Sequence, residues 1–310
     1  MEKINETTIL KFKPNTLENV RKEFNMNPAN IDQALDILEQ WILKQQHFVK
    51  KDFSRDYLER ALVNCKGSIE RTKIKLDKMC TAKNLLPHFF SSLDAKEDYE
   101  PYKAQAILPQ LTPKLERIFL LRNNGVKADS LTALYRIIIM MCEYCSVNDY
   151  SLGWNIILDY TNCNLLEFLP KFNPVELQQS LVTLPYGIRL RSFHIISKSK
   201  LVEGVVSLFK SVLSDKLAQR IVVHKDHNSL FEHFPKEIFP KDYGGKNLVT
   251  PRHEAISKNH FAKIVFTSQE FVNYLKEMQK ALTNEKLRLV DTFNDKYMGT
   301  PGAFRTFIVD

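Results

Sequence analysis

Apolar residues recur at helical spacing over the first third of the chain. Ile31, Ala34, Leu35, Leu38, Trp41 and Ile42 follow one another at steps of three and four behind Asn30, an N-cap type, and predict a helix. Ser54 opens a second, shorter helix with Tyr57, Leu58, Ala61 and Leu62 on one face. Ser68 caps a third that carries Ile69, Leu76, Met79 and Cys80. Residues 30–86 therefore read as a small all-helical module that Pro87 ends. The residues before it, 1–25, are mixed and polar, and are expected to form a loosely held lead.

After Pro101 and Pro109 the pattern changes. Arg117 to Arg122 reads as a short buried strand between Pro113 and Asn123-Asn124-Gly125. Residues 130–145 return to helix, Gly153 to Asp159 form a second strand, and 174–184 another helix. Ile188 to Ile196 is a third strand, 199–213 a helix, and Ala218 to His224 a fourth strand. Strands alternating with helices predict an α/β fold with a mainly parallel sheet. The last 60 or so residues are mixed helix and loop, and no internal repeat or low-complexity segment appears.

Three faces within this region invite a functional reading. Ile188-Arg189-Leu190-Arg191 alternates with period two, so Ile188 and Leu190 share one strand face and Arg189 and Arg191 the other. Leu201, Val202, Val205, Val206, Phe209, Val212 and Leu213 make a broad apolar face on the helix that follows, opposite Lys198, Lys200, Glu203 and Lys210. Such a helix either covers a core or lies on an anionic membrane. Tyr135, Ile138, Ile139 and Cys142 form a helical stripe, and Trp154, Ile156 and Leu158 one strand face. These residues line a cavity or fill a core, and periodicity does not separate the two.

Composition sharpens one of these faces. The 310 residues are 44% hydrophobic and 26% charged, enough for a proper core, with a net charge of +8. Eight Lys or Arg between 189 and 225 stand against Glu203 and Asp215, so most of the excess lies in this window. The excess suits an anionic partner. No apolar run is long enough to span a bilayer, and Met1 to Glu6 lack the apolar stretch of a signal peptide. Five cysteines, Cys65, Cys80, Cys142, Cys145 and Cys163, suit free thiols in a reducing cytoplasm.

Catalytic and metal signatures are missing. There is no GxGxxG, P-loop, GxSxG or HExxH, and Gly is scarce at 9 residues. Cys142 and Cys145 have CxxC spacing but no second pair follows, and they sit in a helical stretch. Ser197 and Lys200 make an SxxK of a kind that Lys-rich chains contain by chance. His224, His227 and His233 cluster after the fourth strand, where a strand end and loop account for them better than a metal does. No basic-aromatic platform for nucleic acid is present. The expectation is a monomer that is not an enzyme and has no cofactor, no metal and no nucleic-acid partner.

Longer motifs carry a resemblance. Arg220 to His224, Ser229-Leu230, and Phe234-Pro235-Lys236-Glu237-Ile238-Phe239-Pro240-Lys241-Asp242-Tyr243-Gly244-Gly245 resemble the closing signature of CRAL-TRIO domains. Gly153 to Asp159 and Arg189 to Ile196 are similar to two of its strands, residues 30–86 to its helical N-terminal module, and Met298 to Arg305 to the ending of insect members. Gly187, Ser197 and Asn64-Cys65 depart from the family pattern.

The resemblance implies a helical module at 26–90, an α/β lipid-binding domain at 91–248 whose sheet floors an apolar pocket, and a helix and loop extension at 249–310. It implies binding and transfer of a small hydrophobic ligand: a retinoid, tocopherol or other isoprenoid. The implied lining is Tyr135, Ile138, Ile139, Cys142, Trp154, Ile156, Leu158, Val182, Ile188 and Leu190. A gate helix bearing Val202, Val206, Phe209 and Leu213 opens at membranes, where Arg189, Arg191, Lys216 and Arg220 meet phosphoinositide headgroups. The protein is then cytoplasmic and transiently membrane-associated. The competing expectation is a membrane-docking scaffold whose pocket has filled in.

Overall fold

The computed structural model describes residues 10–90, 105–123, 131–183, 188–245 and 269–289. The N-terminal part is helical: α1 (Thr16–Glu23), α2 (Pro28–Lys44), α3 (Arg55–Asn64), α4 (Ile69–Leu85) and α5 (Pro87–Phe90). Ser54 and Ser68 cap α3 and α4 as the pattern predicts, accepting from Tyr57 N at 3.3 Å and Arg71 N at 3.4 Å. α2 begins earlier than expected. Its N-cap is Asn27, whose Oδ1 accepts from Asn30 N at 2.8 Å, with Pro28 in the first turn. The expected loose lead holds α1, which buries Leu17 and Val20, while Leu10 is buried ahead of it. Most of its polar residues face outward, Thr16 excepted, and the three well-spaced apolar ones are hidden among them. Pro87 does end α4, but it also starts α5.

A five-stranded sheet follows in the order β1 (Gln105–Ile107), β2 (Arg117–Arg122), β3 (Trp154–Asp159), β4 (Leu190–Ile196) and β5 (Ile221–His224). β1 is antiparallel to β2 and the other pairs are parallel. Three residues of β1 are too few to show alternation, which is why the pattern missed it. The parallel strands are joined by α6 (Thr132–Asn148), by α7 (Leu165–Phe168) with α8 (Pro174–Thr183), and by α9 (Val202–Val212) with α10 (Asp215–Ala218). α10 takes up Ala218, so β5 starts at Ile221 and not at Ala218 as expected. The strand order is unbroken, and crossovers have one hand, so all these helices pack on one face. The other face is covered by short turns of helix between 228 and 243. A last helix, α11 (Gln269–Met278), returns to the helical module, where Met278 and Ala281 join its core.

The two parts are keyed by buried charge. Lys83 of α4 pairs with Glu143 of α6 at 2.6 Å, and Glu59 of α3 accepts from Arg21 Nε at 2.8 Å and Tyr150 Oη at 3.2 Å. Within the sheet domain, Arg117 is 0% exposed. Its guanidinium grips Asp149 at the end of α6 with bonds of 3.2 and 2.6 Å, and donates to the carbonyls of Leu108, at 3.1 Å, and Pro109. One side chain thus ties the start of β2 to its own crossover helix. Removing one partner of such a buried pair strands the other charge. Asp149→Ala is expected to cost about 3–5 kcal/mol in urea unfolding, and a loss near zero overturns this role.

Candidate lipid pocket and basic face

Alternation sorts the strands onto two cores. Phe119 and Leu121 of β2, Trp154, Ile156 and Leu158 of β3, and Leu190, Phe193 and Ile195 of β4 face the helices. Ile118, Leu120, Ile157 and Ile196 face the 228–243 segment. Tyr135, Ile139 and Cys142 come down from α6 onto the same helix-side cluster, which Ile188 joins just before β4. Ile138 is half-buried and packs against its edge. The side chain of Val182 lies outside the described residues, as do Asn124-Gly125, Gly187 and the 298–305 motif. The pattern misses Phe119 because β2 is apolar on both faces, and Phe193 because the register of β4 shifts between Leu190 and Ser192, which breaks the alternation. Phe119 lies 3.7 Å, centroid to centroid, from Trp154, and Phe193 lies 5.6 Å from Phe209.

The helix expected over 199–213 is α9. Val202, Val205, Phe209 and Val212 are buried in the helix-side cluster, Val206 is half-buried, and Leu213 is buried at the C-cap. Glu203 and Lys210 are exposed. Phe209 also meets Phe172, which precedes α8, at 6.5 Å. A separate cavity of about 480 Å³ lies between α5, α6 and α11, lined among others by Phe89, Phe90, Met140, Leu275 and Met278. Of the expected lining residues it touches Ile139.

The basic face differs from a plain alternating strand. Trp154 pairs with Leu190 but Asn155 pairs with Ser192, so Arg191 is the extra residue of a bulge. The bulge re-aims Arg191 and lets Leu190 and Phe193 share the inner face. Arg189 donates to Leu152 O at 3.2 Å and lies over the Phe24 ring at 5.7 Å. Arg191 Nε donates to Glu116 Oε1 at 2.7 Å, and Arg220 reaches the Arg191 carbonyl at 3.5 Å. Lys216, on α10, is exposed. Partial burial, then Arg191 and Arg220, push the Arg189 pKa down. The Lys66 pKa is lowered by Arg189 first, then by burial, Lys216, Arg71 and Arg191. Lys66 and Arg71 belong to the helical module, so the cluster spans both parts. No local pattern in the sequence pointed to them.

The histidines regroup. His227 turns to Asp159, at 3.2 Å, and its ring lies tilted against Tyr243, 4.3 Å between centroids. His194 takes its place, and ring nitrogens of His194, His224 and His233 lie within 4.8 Å of one another. His194 Nδ1 and His224 Nε2 face each other at 2.8 Å, and their outer nitrogens meet Ser192 and Ser229 at 2.9 and 3.1 Å. That is a hydrogen-bonded chain joining β4 to β5, with the inner nitrogens engaged with each other. Asp159 anchors the Tyr-Gly-Gly end. Burial raises its pKa, but bonds from His227, Thr161 and Tyr243 outweigh that and hold it well below the carboxylate range. Gly245 is required there, since a Cβ would stand 2.0 Å from Phe239 O. Cys142 and Cys145 are buried on α6, and burial pushes both thiols up.

Burial, then His224 and His233, push His194 down to about 3. An unfolded histidine takes a proton near pH 6.5, which folded His194 refuses until much lower pH. Stability therefore falls as pH drops below about 6.5. Between pH 7 and pH 5 the loss is on the order of 2 kcal/mol. His194→Gln is expected to flatten this slope in urea titrations, and an unchanged slope overturns the assignment.

Residues 103–245 match the CRAL/TRIO domain, and residues 27–99 the Pinta-like UBA domain. Proteins called alpha-tocopherol transfer protein-like from Mus musculus and Homo sapiens are each 24% identical over 238 residues, 73% of this chain and 68% of theirs. The crystal structure of Sfh5 superposes with a TM-score of 0.43 and 12% identity, over 85% of this chain and 100% of that one. CRAL/TRIO proteins bind and transfer lipids. Among the described residues no helix is long and apolar enough to cross a membrane. The chain carries a CRAL/TRIO domain on a mostly parallel five-stranded sheet, and a Pinta-like UBA domain leads into it.

Proposed function

We propose that this protein binds a small hydrophobic ligand, a retinoid, tocopherol or other isoprenoid, between the sheet and α9, and releases it at phosphoinositide-containing membranes. The observation that carries this reading is the double role of α9. Its buried side closes the apolar cluster formed by β2, β3, β4 and α6, and cations flank it in the chain: Arg189 and Arg191 before, Lys216 and Arg220 after. Burying about 400–500 Å² of apolar ligand gains roughly 10 kcal/mol before immobilisation costs. Such a ligand leaves slowly unless the cover moves. A base near the surface contributes about 1 kcal/mol of attraction to anionic lipid, and arginine forks phosphate with two parallel bonds.

A second reading has its own support. The close Phe119–Trp154 and Phe193–Phe209 contacts put bulky rings on the sheet face, as a filled core in a membrane-docking scaffold would. Trp154 is 1% exposed and is one of two tryptophans, so it reports on this space. In a Trp41→Phe background, retinaldehyde or tocopherol is expected to quench Trp154 saturably, and solvent extraction of purified protein to yield an isoprenoid. Neither quenching nor an extracted lipid would favour the scaffold. Arg191→Ala with Arg220→Ala is expected to slow transfer to phosphoinositide vesicles about 30-fold, two charges at roughly 1 kcal/mol each, with loading unchanged. Equal transfer by wild type and double variant overturns the membrane step.

A further inference from the structure

Arg191 is held more tightly than its neighbours in the basic face. Its stem crosses Gly153, where φ is +147° and a Cβ would come within 2.6 Å of Arg191 Cγ. Its Nε donates to Glu116 Oε1 at 2.7 Å, and the side chain remains 33% exposed. Glu116 is itself fixed. Its backbone N–H donates to Thr112 Oγ1 at 3.1 Å and its carbonyl accepts from Thr112 N at 2.9 Å. Its second oxygen accepts from Asn155 Nδ2 at 2.9 Å. Asn155 is 3% exposed, and its Oδ1 accepts from Ser192 Oγ at 2.6 Å.

This geometry assigns Nε, on the flank of the guanidinium, to the protein and leaves the two terminal amino groups as a fork. A loose arginine loses rotamer freedom when it grips a phosphate, whereas a braced one has lost it already. A carboxylate among cations would otherwise compete with phosphate for the fork, but the Asn155 bond keeps Glu116 on the Nε side. We propose that Glu116, braced by Asn155, is a positioning residue that presents the Arg191 fork to the phosphate of a phosphoinositide headgroup. The proposal rests on the membrane reading above. It also explains why position 116 carries an acid. Two donors, Arg191 Nε–H and Asn155 Nδ2–H, converge on its two oxygens, and only a carboxylate accepts from both.

The test is binding of the full chain to phosphatidylcholine vesicles containing phosphatidylinositol bisphosphate, against vesicles matched in charge with phosphatidylserine. Glu116→Gln sets an NH₂ against one of the two donors and is expected to weaken phosphoinositide binding about three- to tenfold, the worth of one ordinary hydrogen bond. Adding Asn155→Asp reverses the amide–carboxylate pair, restores both hydrogen bonds, and is expected to bring affinity back to within about twofold. In an Arg191→Lys background, which keeps the charge but lacks Nε and the fork, Glu116→Gln is expected to add no further loss.

Equal or tighter binding by Glu116→Gln overturns the proposal, since Glu116 would then only compete with lipid. So does failure of the double variant to recover while it melts like wild type, or a loss that persists with Lys at 191. If Glu116→Gln melts early, the fully bonded double variant and Arg191→Lys decide the matter. A wild-type chain with no preference for phosphoinositide overturns the membrane reading itself and this proposal with it.

Discussion

The structure depends on one constraint: a parallel sheet has two apolar faces, and both must be covered. With the strands in unbroken order, the crossovers bring α6, α8 and α9 to a single face, and the 228–243 segment closes the other. Each element of the helical cover therefore shares the same apolar floor. A segment that moves away exposes that floor, and α9 is the one whose outer side is polar and whose inner side is Val202, Val205, Phe209 and Val212. The other face carries its own anchor. Asp159 gathers Arg122, His227, Thr161 and Tyr243, so the Tyr-Gly-Gly end is pinned to the tip of β3.

Charge is distributed with the same economy. Fully buried charges such as Arg117 and Asp149 are paired by several bonds, as low-dielectric surroundings demand. The partly exposed cations crowd instead. Partial burial first, then Arg191 and Arg220, lower the Arg189 pKa, and Arg189 first, then burial, Lys216, Arg71 and Arg191, lower that of Lys66. An assembled group of like charges relaxes when a polyanion arrives, so its cost to the free protein becomes affinity for an anionic surface. Glu116 is the acid built into this group, and the buried Asn155, held by Ser192, fixes which side of Arg191 it occupies.

The helical module contributes to this face as well as supporting it. The turn between α3 and α4 holds Lys66 at φ +58° and Gly67 at φ +75°, which turns the chain sharply and sets the ammonium beside the strand arginines. The ion pair of Lys83 with Glu143 and the bonds around Glu59 fix the module against α6 and its following loop. The face is thus a property of the interface between the two parts.

Periodicity alone determined the helices α2, α3, α4, α6, α8 and α9 and the strands β2, β3 and β4 to within a few residues, because each has one polar and one apolar side or a bounded apolar run. It also determined that Trp154, Ile156 and Leu158 share one strand face and that Tyr135, Ile138, Ile139 and Cys142 form one helix stripe, since side-chain direction follows from backbone period. Tertiary structure decided what depends on distance across the chain. It placed Arg191 in a bulge through the pairing of β4 with β3, exchanged His227 for His194 in the histidine group, and brought Lys66 and Arg71 to the basic face. Bulges, through-space hydrogen bonds and charge clusters arise from partners far apart in sequence, and local spacing holds no record of them.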